Sequence, residues 1–357
     1  MIRVAESDTS MRICIPIAHK PYGGMYSFLD NCRRWLDSRS IWHTDDPQAE
    51  YDILLVNSFM VPYALIAGVK RHRPNVRVVQ RVDGSARDYG RFDDADCRQA
   101  RVNMLADLTI FQSEYSKYSV TKKFKVIQQD GTIIYNPVDT QTFRPHGLKR
   151  SIEGRIKVCN ASFSTNPKKG SRRIARLARQ NPDVTFVLCG HYPQLPDLAN
   201  IQLLGYLDRP EIAAAMRSCD LFLHLAENDP CPNVVLEAMA SGLPVLYKKS
   251  GGTPELVRDC GLPVTSNNFR QQLGAVLERR DELSRASRER AVKHFSPDHI
   301  FPQYLKAMTQ TTRRPLPSRW DFILARLRGY PVLPHQPRQL LLCAQRWLLR
   351  RFLARVR

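Results

Sequence analysis

The sequence predicts an α/β protein built from two doubly wound domains. Its 357 residues suit two domains of ordinary size, at ~100–200 residues each. Short apolar runs alternate with helix-like segments along most of the chain, which is typical of parallel sheets covered by helices on both faces. A polar stretch at 139–155 divides this pattern into two series, and we interpret it as the linker between the domains.

The first series opens with a buried strand at 12–18 and a helix at 24–38 whose apolar residues recur at helical spacing. Further strands and helices then alternate up to the linker. The strands are predicted at 52–57, 76–82, 107–112 and 132–135, and the helices at 60–72, 94–105 and 114–122.

The second series repeats the alternation after the linker. Its strands are predicted at 156–161, 184–189, 201–204, 220–225 and 244–247, and its helices near 170–180, 209–218, 233–241 and 254–259. Sheets of this kind bind ligands beyond the carboxyl ends of their strands, where helix N-termini face the crevice. We therefore expect functional residues in strand-to-helix loops that face a cleft between the domains. The predicted division is 1–146, 147–300 and a basic helical segment at 301–357.

The composition is that of an ordinary globular protein. Hydrophobic residues make up 43% and charged residues 25%, which excludes a disordered or collagen-like chain. No apolar run approaches the ~18 residues of a membrane span, and the charged first twenty residues do not predict a signal peptide. The nine cysteines include no C-x-x-C pair. We therefore expect neither disulfides nor a zinc site, and a reducing cytoplasm as the setting.

The net charge of +20 is concentrated near the C-terminal end. Residues 313–357 contain eleven arginines and one acidic residue, which is half of the excess. Within them, 339–357 predicts an amphipathic helix suited to an anionic membrane, such as the inner face of the plasma membrane. Docking of its apolar face on the body or on a second subunit is the alternative. No nucleic-acid partner is expected, because no recognition helix, zinc finger or RNA motif is present.

The most informative segment is 227–242. Pro230 and Pro232 keep its first part extended, and Asn233 then begins a helix. The free amides at that helix end suit a phosphate, and Glu237, one turn further on, can accept hydrogen bonds from ribose hydroxyls. A capped helix with an exposed glutamate is the better explanation when the segment is taken alone.

Three other strand-to-helix loops carry groups that suit a phosphorylated ligand. Glycines let the backbone approach a ligand, and a lysine supplies a point charge for a diphosphate. A plain turn or a solvated lysine pair is the alternative explanation in each case. The groups are Gly23 and Gly24, Lys168 and Lys169, and Gly251, Gly252 and Thr253.

Taken in order, these segments resemble glycosyltransferase family 4, the retaining nucleotide-sugar enzymes of GT-B fold. The resemblance covers residues ~11–310. It is carried by an ordered set of short motifs, each weak alone. They are Gly23-Gly24, the stretch 134–139 followed by 143–145, Lys169-Gly170, Gly190, the loop 204–207 ending at Leu207, the acid pair Asp229 and Glu237, EAMASGLPV at 237–245 and GGTPELV at 251–257.

The resemblance implies transfer of a hexose from a nucleotide sugar to a glycan or lipid-linked acceptor, without a metal or other cofactor. It implies that Glu237 holds the donor ribose, that Asp229 contacts the transferred sugar and that Lys169 neutralises the diphosphate. Amides at Asn233, Val234, Gly252 and Thr253 would orient phosphate and sugar. The full donor-binding set comprises Gly23, Gly24, Lys168, Gly190, Leu207, Asn233, Val234, Glu237, Gly251, Gly252 and Thr253.

Three departures from the family pattern bear on the chemistry. The first acid is Asp229 rather than a glutamate, and nearby Glu227 is an alternative sugar contact. The arginine usual before the Lys-Gly pair is replaced, with Lys168 or Arg172 as substitutes. No histidine marks the acceptor side, so we assign acceptor contact or base catalysis to Asp83, for which an Asp-Gly turn is the alternative. These departures also leave open a catalytically inactive protein that binds nucleotide sugars.

Overall fold

The computed structural model describes residues 11–18, 23–193 and 195–332. These residues form two α/β domains, each around a six-stranded sheet in which every pair of neighbouring strands is parallel. The two doubly wound domains predicted from the alternating pattern are confirmed. The amphipathic segment predicted at 339–357 lies outside the described residues.

The first domain has the strand order β2-β1-β3-β4-β5-β6. Its central strand β3 is buried along its whole length, as expected for a sheet covered on both faces. The strands are β1 (Ile13–Cys14), β2 (His43–Thr44), β3 (Ile53–Asn57), β4 (Arg77–Val82), β5 (Leu108–Phe111) and β6 (Thr132–Ile133). The helices are α1 (Gly24–Ser38), α2 (Tyr63–His72), α3 (Ala95–Leu105) and α4 (Glu114–Tyr118), which continues into a π-helical turn, Ser119–Lys123.

The second domain has the strand order β12-β11-β10-β7-β8-β9. The order reverses between β7 and β10, and a sheet of this topology binds ligands at that point. The strands are β7 (Ile156–Ser162), β8 (Val184–Gly190), β9 (Ile201–Gly205), β10 (Leu221–His224), β11 (Val245–Tyr247) and β12 (Gly261–Pro263). The helices are α5 (Ser171–Gln180), α6 (Arg209–Arg217), α7 (Asn233–Ala240), α8 (Thr253–Val257), α9 (Phe269–Glu278) and α10 (Arg280–Phe295).

The chain returns to the first domain after α10. Helix α11 (Pro297–Gln310) packs its buried aromatic residues against α1, with the rings of Phe301 and Phe28 5.9 Å apart and those of Tyr304 and Phe28 5.4 Å apart. Helix α12 (Arg319–Leu327) follows on the same domain. The predicted boundary between residues 300 and 301 therefore falls inside α11.

A buried ion pair anchors the segment between α11 and α12. Lys70 Nζ donates to Asp107 Oδ1 at 2.5 Å, and both side chains are almost completely buried. Lys70 also donates to the carbonyl of Arg314, whose amide donates to Asp107. The pair therefore ties the C-terminal segment to the first sheet.

Candidate active site

A cleft of about 1040 Å³ lies between the two domains. One wall comes from loops at the carboxyl ends of β1, β4 and β5, and the other from loops that follow β7, β9 and β10. Parallel strands end at the same edge of a sheet, so side chains far apart in sequence meet here. The cleft spans the point where the order of the second sheet reverses.

A lysine and an aspartate from neighbouring loops pair at this point. Lys169 Nζ donates to Asp229 Oδ2 at 2.6 Å, and the Asp229 side chain is 9% exposed. Burial opposes ionisation of Asp229, but the charge of Lys169 and hydrogen bonds from Lys169 and Tyr89 outweigh it and lower the pKa of the carboxyl. Asp229 is thus held as an anion beside a fixed ammonium group.

Glu237 lies one turn into α7 and is 8% exposed. Burial raises the pKa of its carboxyl, while the nearby Arg209 guanidinium partly offsets that rise. Arg209 is the first residue of α6, whose start is stabilised by a capping box between Asp208 and Glu211. The second domain therefore presents a buried acid and an arginine to the same cleft.

Four residues that line the cleft each have a buried side-chain atom with no hydrogen-bond partner within the described part of the chain. The atoms are Arg81 Nε, Ser162 Oγ, Nη2 of Arg209 and Nε2 of His224. Buried polar groups are rarely left unsatisfied, because each costs about 1–3 kcal/mol. Burial also lowers the pKa of His224 to about 4, so this ring is neutral at neutral pH. Unsatisfied donors and acceptors in one cleft indicate a polar ligand.

The wall from the first domain is organised around buried Arg81. Its guanidinium lies 4.0 Å from the centre of the Phe28 ring and donates to Asn136 Oδ1 at 2.6 Å and to Asp83 Oδ1 at 3.2 Å. Asp83 also accepts from Asn57 and Gln112, yet its side chain stays 41% exposed. The aspartate is therefore oriented by three donors and remains open to the cleft.

Asn233 lines the cleft and links the two domains. Its side-chain Nδ2 donates to the carbonyl of Gly24 at 3.0 Å, and its Oδ1 accepts from Asn136 at 2.7 Å. Asn136 also donates to the carbonyl of Cys231. The amide side chain of Asn233 therefore holds the start of α7 against the first domain.

Glu255 forms a second contact between the domains. Its carboxylate accepts from the backbone amides of Glu114 and Tyr115 at 2.9 and 2.7 Å and from the hydroxyl of Tyr135 at 3.1 Å. It thereby caps the N-terminus of α4 in the opposite domain. Nearby, Ser113 Oγ donates to the carbonyl of Pro230 at 2.6 Å. We call this contact, centred on Glu255, the interdomain clasp.

Most of the candidate residues named from the sequence line the cleft. The structure brings together Gly23, Gly24, Asp83, Lys169, Leu207, Asp229, Asn233, Val234 and Glu237.

Lys168 and Gly190 are not among the residues lining the cleft. Lys168 Nζ donates to the carbonyl of Asp88 at 2.6 Å, so its ammonium group connects the two domains instead of facing the cleft. Gly190 ends β8 with φ +110°, and a Cβ there would lie 2.1 Å from the carbonyl oxygen of Ser162. A close backbone approach therefore explains this glycine.

Gly251, Gly252 and Thr253 lie behind the Asp229 loop. A Cβ on either glycine would meet the carbonyl oxygen of Asp229 or Pro230 within 2.3 Å. The Gly252 amide, assigned from the sequence to phosphate or sugar, donates to Asp229 O at 2.8 Å, and Thr253 is fully buried. These residues support the loop that carries Asp229. Gly251, Gly252 and Thr253 do not line the cleft because they pack against this loop, a backbone contact that a sequence motif does not reveal.

Sequence reasoning missed several groups that line the cleft, namely Arg81, Tyr89, Asn136, Asn160, Ser162, Arg209 and His224. A usable signal existed for some of them. Asn160, Ser162 and His224 are polar residues near the carboxyl ends of apolar strands, and Arg209 begins a helix that follows such a strand.

Glu227, which the sequence offered as an alternative to Asp229, pairs with Arg173 and Lys248 instead. The hydrogen bond from Lys248 is the main cause that lowers the pKa of the Glu227 carboxyl.

Within the part of the chain that the structure covers, no three His, Cys, Asp or Glu side chains are grouped to hold a metal ion. In the same residues, no helix has both the length and the apolar character to cross a bilayer.

The comparisons with known proteins agree with this architecture. Residues 170–279 match the family model described as Glycosyl transferases group 1. The matched stretch lies within the second domain. It contains Asp229 and Glu237, and Lys169 directly precedes the matched residues. The resemblance to glycosyltransferase family 4 is confirmed, and so is the GT-B fold.

Relatives by sequence and by structure extend this result. The chain is 33% identical over 117 residues to a GDP-mannose-dependent alpha-mannosyltransferase of Mycolicibacterium smegmatis, covering 31% of each chain. The chain thus spans about a third of the length of that relative. The sucrose-phosphate synthase of Thermosynechococcus elongatus has a TM-score of 0.68 at 15% identity, covering 84% of this chain and 98% of that one. HepE of Anabaena, solved in complex with UDP-glucose, has a TM-score of 0.64 at 18% identity and covers 84% and 99%.

Proposed function

We propose that the protein is a retaining glycosyltransferase that moves a hexose from a nucleoside diphosphate sugar to a glycan or lipid-linked acceptor. The observation that carries the proposal is the grouping of Lys169, Asp229, Glu237 and Arg209 at the reversal point of the second sheet. The unsatisfied polar atoms of Ser162, Arg209 and His224 in the same cleft support a polar donor.

In the proposed reaction, the bond between the anomeric carbon and the diphosphate breaks, and a bond to the acceptor oxygen forms on the same face. Lys169 and Arg209 stabilise the negative charge that develops on the departing diphosphate. Glu237 accepts hydrogen bonds from the ribose, and Asp229 contacts the transferred sugar. Asp83 accepts the proton that the acceptor hydroxyl loses. These cationic groups supply the charge stabilisation, so we propose a reaction that needs no metal.

The class of donor is proposed from the relatives. One of them is named as GDP-mannose-dependent, and one neighbour was solved with UDP-glucose. Both are nucleoside diphosphate hexoses, and we propose that class for this chain.

We also propose a cytoplasmic setting, supported by the eight described cysteines, which are all free thiols. Attachment to an anionic membrane through 339–357 remains part of this proposal. It is supported by the alternation of arginines and leucines in that stretch.

A thermal-shift panel followed by an isotope-transfer assay tests the proposal. The panel compares UDP-glucose and GDP-mannose with UDP, GDP and free glucose, because a ligand that binds the folded state raises the melting temperature. The nucleotide sugar that binds is then supplied with a labelled hexose. Label found in an acceptor, or slowly released to water, supports the enzyme. Binding without transfer or hydrolysis favours the inactive sugar-nucleotide binder, and no shift with any nucleotide contradicts the proposal.

A further inference from the structure

Helix α12 presents a row of large apolar side chains to solvent. Trp320 is 71% exposed, Leu327 is 77% exposed, and Ile323 and Leu324 between them are 38% and 47% exposed. The four residues recur at every third or fourth position, so they share one face of the helix. We call this face the α12 stripe. A grouped set of exposed apolar residues marks an interaction site more often than scattered ones do.

The opposite face of α12 is held firmly by the first domain. Ala325 is fully buried in a cluster that includes Ala100 and Val120, and the Phe322 ring meets the Tyr63 ring edge-on at 6.4 Å. Ser318 and Asp321 form a capping box at the start of the helix. The helix is therefore fixed in place, and the outward direction of the α12 stripe is set by packing.

Three exposed arginines flank the α12 stripe. They are Arg319 and Arg326 on the helix and Arg328 at its C-terminal end. The acidic residue of α12, Asp321, accepts hydrogen bonds from the amide and hydroxyl of Ser318. An apolar row with a cationic border matches an anionic lipid surface, where apolar side chains enter the acyl boundary and arginines meet headgroups.

We propose that the α12 stripe is a docking surface for an anionic membrane. Charge favours this occupant over a second copy of the chain, because two protomers joined here would bring cationic borders together within a protein of net charge +20. The proposal concerns a folded, described surface and stands independently of the predicted segment 339–357.

The α12 stripe lies close to the cleft side of the first domain, so docking there would bring the membrane near the cleft. Helices α2 and α3 begin at the carboxyl ends of their strands, which is the cleft side of the first domain. Phe322 contacts Tyr63, the first residue of α2, and Arg326 lies near Cys97 in the first turn of α3. A membrane on the α12 stripe would therefore adjoin the cleft edge of the first domain, where a lipid-linked acceptor would enter.

Flotation of the full chain with vesicles tests this proposal. The vesicles are phosphatidylcholine with phosphatidylglycerol, and phosphatidylcholine alone serves as the neutral reference. We expect binding to the anionic vesicles and a loss of at least about tenfold in Trp320→Ser/Leu327→Ser. Arg326→Glu should also weaken binding, by at least about tenfold, because it changes the local charge by two units. All variants keep residues 333–357.

Matched controls separate this surface from general surface effects. Leu148→Ser removes an equally exposed leucine, 83% exposed, and Arg179→Glu reverses an exposed arginine of the second domain. Both should bind vesicles as the parent chain does. Unchanged vesicle binding in the α12 variants overturns the proposal and assigns binding to another region. A dimer that dissociates in the α12 variants without a change in vesicle binding assigns the surface to a second copy instead.

The same variants keep this test separate from the proposed function. Melting temperatures without vesicles report folding. The rise in melting temperature on adding the nucleotide sugar, which we call the donor shift, should be the same in the variants as in the parent chain. If the parent chain shows no donor shift, the glycosyltransferase proposal is contradicted and the membrane result still stands.

Discussion

Lys169 Nζ and Asp229 Oδ2 lie 2.6 Å apart, across the two loops that flank the reversal of strand order in the second sheet. The pair joins a cation and an anion that are far apart in sequence. Under the proposed function, the ammonium group is already held where the diphosphate of the donor would bind, so little side-chain ordering remains when the donor binds.

Replacing Lys169 should separate its structural role from its binding role. Lys169→Ala leaves the buried Asp229 carboxylate without its cation, so we expect a loss of about 1–3 kcal/mol of stability and no donor shift. Lys169→Ala/Asp229→Asn should recover the stability but not the donor shift. Urea unfolding and thermal shift measure the two effects, and Lys249→Ala, at an exposed lysine of the same domain, is the control. A donor shift kept in full by the double variant would remove Lys169 from the site.

Glu237→Ala should abolish the donor shift while the fold is retained. Burial raises the pKa of this carboxyl, so its removal costs little stability but deletes the proposed ribose contact. We expect the apparent donor affinity to fall at least about tenfold. Glu278→Ala, at an exposed glutamate of α9, should behave as the parent chain. Equal donor shifts in the two variants would contradict the assignment.

His224 predicts a loss of stability under mild acid. Burial lowers its folded pKa to about 4 from an ordinary 6.5, so between these values the unfolded chain binds more protons. As regards His224, the protein keeps its full stability above about pH 6.5. The free energy of unfolding then falls by up to about 3 kcal/mol as the pH is lowered towards 4. Urea unfolding measures the free energy of unfolding at each pH across this range. Its dependence on pH should be weaker in His224→Gln, whereas His72→Gln, at an exposed histidine, should keep the dependence of the parent chain. The same pH dependence in all three proteins would contradict the prediction.

The buried pair Lys70 and Asp107 predicts an asymmetric response to substitution. Asp107→Ala leaves a buried ammonium uncompensated, and we expect a loss of about 3–5 kcal/mol. Lys70→Met/Asp107→Leu removes both charges and should lose much less. Asp183→Ala breaks the exposed pair with Arg270 and should cost no more than about 1 kcal/mol. Similar losses for Asp107→Ala and Asp183→Ala would contradict the burial argument.

The interdomain clasp predicts an effect on domain closure. Glu255→Ala removes the acceptor for two amides of α4 and for Tyr135, so the first and second domains should separate more easily. We expect a larger radius of gyration by small-angle scattering and a donor affinity lowered about threefold or more. Glu50→Ala, at an exposed glutamate of the first domain, is the control. An unchanged scattering profile would show that other contacts hold the domains together.

The fold was largely predictable because the apolar strands are buried and regularly spaced. The strand predicted at 12–18 is only the two-residue β1, although the Ile15 amide still donates to the carbonyl of Thr44 and both Ile15 and Ile17 are buried in the core. Strands β2 and β12 pair at sheet edges over two or three residues, too short for a periodic signal. Helices α9 to α12 lie after the last sequence motif, which ends at residue 257, and the sequence analysis did not predict them individually.

The site was predictable where a residue type carries its chemistry and not where packing decides its role. Glu237, Asp229 and Lys169 lie in the cleft as expected from the motif order. Gly251 and Gly252 also belong to a family motif. Their lack of side chains, however, lets the backbone of the Asp229 loop pack against them. Arg209 was missed because its closeness to Glu237 depends on two helices meeting in space.

The crossing of α11 back to the first domain has a consequence for dissecting this protein. A fragment ending near residue 146 would expose the surface of Phe28 and Trp35 that Phe301 covers, and it should aggregate. A stable first domain would need residues 297–332 rejoined through a short designed linker. The second domain is therefore, in architectural terms, an insertion within the first domain, which is completed only after the chain has passed through the second.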